Sequence, residues 1–127
     1  MKNEFVTYEQ AAALRDLGFN ETCLGCYIYE VETLTWELNY AIYNNDIRWV
    51  IAAPLKQQVF RWFREKYGFY VELGHGPRID FYFTIYKNSI SISEKNDYST
   101  YEETENACID KLITICKQQD DAKQDIS

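Results

Sequence analysis

The chain has 127 residues, of which 46% are hydrophobic and 26% charged, with a formal net charge of −7. That length and apolar content suffice for a folded core without a metal or disulfide, and they exclude a disordered chain. The shortage of Lys and Arg disfavours nucleic acid, whose phosphates must be neutralised, and anionic membrane surfaces.

The N-terminal MKNEFVTYEQ lacks the apolar stretch of a signal peptide, and no apolar run is long enough to span a bilayer. Four cysteines in such a chain are expected to sit reduced in a cytoplasmic protein. The first helix is announced by Thr7 and Gln10, a capping box, with Val6 and Ala11 at the staple positions. Ala11, Leu14 and Leu17 make its apolar stripe, Gly18 supplies a left-handed end and Phe19 folds back.

CLGCYIYEV then alternates Leu24, Cys26 and Ile28 with Gly25, Tyr27 and Tyr29, a strand with two usable faces. TLTWELNYAIY alternates Leu34, Trp36, Leu38, Tyr40 and Ile42 with Thr35, Glu37, Asn39, Ala41 and Tyr43. The turn NND and a short strand IRWVIAA follow. PLKQQVFRWFREKYG is the clearest helix: Pro54 fits its first position, Leu55, Val59, Trp62 and Phe63 share one face, and Gly68 ends it.

Three strands come next. Phe69, Val71 and Leu73 lie on one face of the first. In IDFYFTIY, Ile79, Phe81, Phe83 and Ile85 oppose Asp80, Tyr82, Thr84 and Tyr86. The turn KNS leads into ISIS, an antiparallel edge. The last helix opens with Thr100 and Glu103, a second capping box, with Glu102 and Glu105 near the positive end of the helix dipole. Cys108, Leu112, Ile115 and Cys116 form its seam. The recurrence of Thr-Tyr-Glu at positions 7 and 100 is thus explained by two helix starts. The expected fold is α+β: a single domain over residues 1–118, an antiparallel sheet of about four to six strands packed on three amphipathic helices, and a polar, frayed tail over 119–127.

APLKQQVFRWFREKYGFYVEL, the closing YSTYEETENACIDKLITI and the N-terminal YEQAAALRDLGF resemble small uncharacterised proteins of gut Bacteroidetes genomes and their prophages. The similarity covers most of residues 7–117, with Thr104 and Glu105 standing where such helices usually carry Glu-Ala. It implies a phage or mobile-element origin and no particular activity.

Candidate chemistry is sparse. Cys23 and Cys26 form a C-x-x-C at a strand start, where neither a low-pKa redox pair nor a complete zinc site is expected, since Cys108 and Cys116 lie on a helix seam; structural thiols are the simpler reading. The single histidine, His75, lies with Arg78 in the loop GHGPR, a ligand loop if a pocket joins it to Asp80 or a glutamate and a plain hairpin turn otherwise. Asp80, next to Tyr82 in the alternation, is expected to bond a tyrosine hydroxyl. The chain carries no phosphate or dinucleotide fingerprint.

The tyrosines are the strongest clue. Tyr27, Tyr29, Tyr43, Tyr70, Tyr82 and Tyr86 all fall on the polar side of their strands and would form an aromatic wall if the helices cover the other side. The sequence therefore points to a small interaction protein that uses this wall to bind a protein partner or itself as a homodimer. The alternatives are an acidic inhibitor or nucleic-acid mimic, and an enzyme or small-ligand binder around His75 and Arg78. No cofactor is implied.

Overall fold

The computed structural model describes residues 2–28, 32–36, 43–47, 49–77 and 80–126. Its fold is α+β, with α1 (Tyr8–Asp16), α2 (Lys56–Tyr67), α3 (Tyr101–Ile126) and six strands: β1 (Gly25–Ile28), β2 (Thr33–Thr35), β3 (Val50–Ala53), β4 (Phe69–His75), β5 (Phe81–Lys87) and β6 (Ile90–Tyr98). The strands form two antiparallel three-stranded sheets, ordered β2-β1-β3 and β4-β5-β6, where one continuous sheet was expected. By internal packing the chain divides into two compact units, residues 1–58 and 59–127, and the division falls inside α2.

In the first unit, Thr7 Oγ1 accepts from the Gln10 N–H at 3.2 Å while Gln10 Oε1 accepts from the Thr7 N–H at 3.0 Å. Both halves of the capping box are therefore made. At the other end of α1, Gly18 has φ 94. Phe19 N–H donates to the Leu14 carbonyl and Gly18 N–H to that of Arg15, each at 2.9 Å, the two bonds of a Schellman ending. α1 packs on β3, and Ala11, Leu14, Leu17 and Phe19 are buried.

The residues before α1 matter more than their sequence suggests. Phe5 bridges to Leu55, and Val6 N–H donates to the Pro54 carbonyl at 3.1 Å. This pairing keeps Pro54 and Leu55 extended, so α2 starts at Lys56 and not at the proline. The same segment lies against β1. A Cβ on Gly25 would stand 2.7 Å from the Phe5 ring, so only glycine permits this approach.

Asn45 ties the turn after Tyr43 in place. It takes a hydrogen bond from Ala52 N–H at 2.9 Å, donates its side-chain amide to the Phe19 carbonyl at 2.6 Å and its N–H to Asn20 Oδ1 at 2.8 Å. The long alternation after Thr33 is strand as far as Thr35; Leu38, Tyr40 and Ile42 lie outside the described residues.

In the second unit, β4 and β5 form a hairpin, and β5 and β6 another. The β5–β6 turn, Asn88–Ser89, has φ 54 and 66, the two left-handed residues of a tight two-residue hairpin. α3 packs on β5. Its buried seam is Thr104, Cys108, Ile109, Leu112, Ile113 and Cys116, with Ile115 only half-buried. α3 also continues to Ile126, through the segment expected to fray. No Gly or Pro interrupts KQQDDAKQDI, which is rich in helix formers. At its start, Thr100 Oγ1 accepts from Glu103 N–H at 3.1 Å, but Glu103 reaches back to Ser99 N–H at 3.2 Å, one residue beyond the usual box.

Candidate functional site

The register of β4 against β5 sets one face of the second sheet. Tyr70 pairs with Tyr86, Glu72 with Thr84, and Gly74 with Tyr82. Directly opposed residues of an antiparallel pair project to the same side, so these six share a face. Thr84 pairs on its other flank with Glu94 of β6. The alternate residues Phe69, Val71, Leu73, Phe83 and Ile85 project to the opposite face, where Phe69, Phe83 and Ile85 are fully buried.

Glu72 organises the tyrosine face. Its Oε1 accepts from the Tyr82 hydroxyl at 3.2 Å and its Oε2 from the Tyr86 hydroxyl at 2.9 Å. Gly74 makes the first of these bonds feasible, because a Cβ at that position would overlap the Tyr82 ring that lies across β4. Donation to the Glu72 carboxylate is the main cause that holds both phenols above their ordinary pKa, with the charge of Glu94 adding to it. Both therefore remain protonated donors well past neutrality. Tyr70 stands beside them, 58% exposed.

The expected wall of six tyrosines is thus divided. Tyr70, Tyr82 and Tyr86 stand together. Tyr27 does not join them: it belongs to the first sheet, is only 7% exposed, and donates its hydroxyl to the Val6 carbonyl at 2.6 Å. Tyr8 packs edge-on against its ring at 5.5 Å. The cause is the segment before α1, which covers the face that alternation alone leaves open. Tyr43 also lies in the first unit, half-buried, in a bridge with Cys23. Tyr29 lies outside the described residues.

Arg78, half of the ligand-loop alternative, lies outside the described residues too. His75 is exposed at the end of β4, its ring edge-on to Phe81 at 5.1 Å. The loop closes as a hairpin, with Gly76 N–H donating to the Asp80 carbonyl at 3.0 Å. Asp80 is not the acid that meets the tyrosines. It precedes β5 and contributes its backbone to the turn, and Glu72 takes the role expected of it. The alternation of Tyr70, Glu72 and Gly74 was the available signal.

The four cysteines are free and buried. Burial is the first cause that drives the thiols of Cys23, Cys108 and Cys116 up to about 12, so none is a ready nucleophile. Among the described residues no group of His, Cys, Asp and Glu is arranged to hold a metal ion, and no helix is long and apolar enough to cross a membrane. No protein-family model, curated protein or solved structure matches the chain.

Proposed function

We propose that this chain is an interaction protein that docks a protein partner, or a second copy of itself, through the tyrosine face of the β4-β5-β6 sheet. One observation carries the reading: Tyr82 and Tyr86 have their hydroxyls tied to Glu72, which fixes two rings beside the exposed Tyr70. Rings fixed in advance lose little entropy on binding, and tyrosine combines apolar area with a polar edge, the combination that favours contact hot spots. The buried residues of the opposite face serve the core, which leaves this face for recognition.

The test places a photo-crosslinking residue at position 70, with position 61, exposed on α2, as control. In cells of the source organism, position 70 should yield a discrete adduct that position 61 does not, with a homodimer adduct identifying self-association. Equal capture at both positions, or none at position 70, overturns the proposal.

A further inference from the structure

Thr84 is 4% exposed and sits at the centre of the tyrosine face. Along its own strand it is flanked by Tyr82 and Tyr86, which share its side of the sheet. Across the sheet it is flanked by Glu72 and Glu94, its partners in β4 and β6. Their backbones stand two strand spacings apart, about 10 Å. Four side chains therefore ring one small, buried residue, with aromatic groups on two sides and carboxylates on the other two.

Among the described residues no lysine or arginine forms an ion pair with Glu72 or Glu94. Among the described residues two lysines cover other rings: Lys66 stands over Trp62 at 4.9 Å and Tyr67 at 5.5 Å, and Lys87 over Phe69 at 5.1 Å. None of these covers Tyr70, Tyr82 or Tyr86. Each oxygen of Glu72 accepts one phenol, and a carboxylate oxygen has capacity for a second donor. Net charge −7 favours the approach of a cation from any direction.

Resting on the docking role of this face, we infer that its partner is a basic peptide segment that seats an arginine between Glu72 and Glu94 and over the rings of Tyr82 and Tyr86. Arginine suits the site better than lysine. Its planar fork reaches carboxylate oxygens in pairs, and its flat faces stack on phenol rings. A second copy of this acidic chain would bring its own carboxylates against the site, so a foreign basic segment is the occupant.

The probe is the peptide Gly-Arg-Gly-Arg-Gly, compared with its citrulline counterpart, which keeps the shape and loses the charge. Tyrosine ring signals of the full chain are followed by NMR. The arginine peptide should move the signals of Tyr70, Tyr82 and Tyr86 and spare Tyr27, and the citrulline peptide should move none. Glu72→Gln and Glu94→Gln should each weaken binding by about tenfold, and 0.5 M salt should weaken it further. Equal binding of the citrulline peptide, or unchanged affinity in both variants, overturns the cationic partner. Capture at position 70 would still stand in that case. Arginine-peptide shifts confined to residues off this face would overturn the inference, and absence of capture at position 70 would remove the docking role itself, so the two failures are separable.

Discussion

Tyr27→Phe separates the structural tyrosine from the recognition tyrosines. The change removes one oxygen from a ring that is 7% exposed, and with it a 2.6 Å hydrogen bond to the carbonyl of Val6, itself 1% exposed. The ring keeps its packing, so no cavity term arises. The lost bond and the carbonyl deprived of its donor together cost about 2 kcal/mol. For a domain of this size that lowers the midpoint of thermal unfolding by roughly 7 °C. Urea denaturation followed by circular dichroism should show a lower midpoint with an unchanged slope. Tyr70→Phe, 58% exposed, is the matched control and should stay within about 0.5 kcal/mol of the parent. A Tyr27→Phe protein as stable as the parent, yet impaired in partner capture, would refute the division of the tyrosines.

Two further outcomes test the packing. Ser89 holds φ 66 in the β5–β6 turn, a conformation costly to any residue with a Cβ, so Ser89→Gly should stabilise the chain by about 1 kcal/mol in the same denaturation assay. The buried thiols should be silent to a disulfide reagent in the native chain, and all four should react once it is unfolded. Because the folded-state values of Cys23, Cys108 and Cys116 are raised from 9.0 to about 12, their stabilisation is complete below pH 9. It is lost as the pH climbs through that interval, and denaturation midpoints should fall accordingly.

Local chemistry was legible in the sequence wherever a few neighbouring residues decide the outcome. Thr7 with Gln10 states a helix start, and Gly18 with Phe19 states its end, because the bonds involved span five residues or fewer. The alternation from Phe81 to Tyr86 likewise separates a core face from a tyrosine face. What alternation cannot state is which distant segment covers a face. Tyr27 and Tyr82 read alike in their strands, yet Phe5 and Val6 lie against the face of β1 that carries Tyr27. The division into two sheets depends on similar long-range choices. Glu72 was overlooked because its importance comes from a cross-strand register that brings Tyr82 and Tyr86 to it, and Gly74 reads as a turn residue until the ring above it is seen.

The nine residues of β6 face seven in β5, and the surplus is absorbed at two bulges, one where Asn96 and Asp97 together oppose Tyr82 and one at Ile92. Each interrupts the row of evenly spaced amides and carbonyls that a newcomer strand would need as a template. Fibril-like extension along this border is thereby discouraged, although Ile90 and Ile92 are both open to water. Visitors to this half of the molecule are steered to land on its flat side.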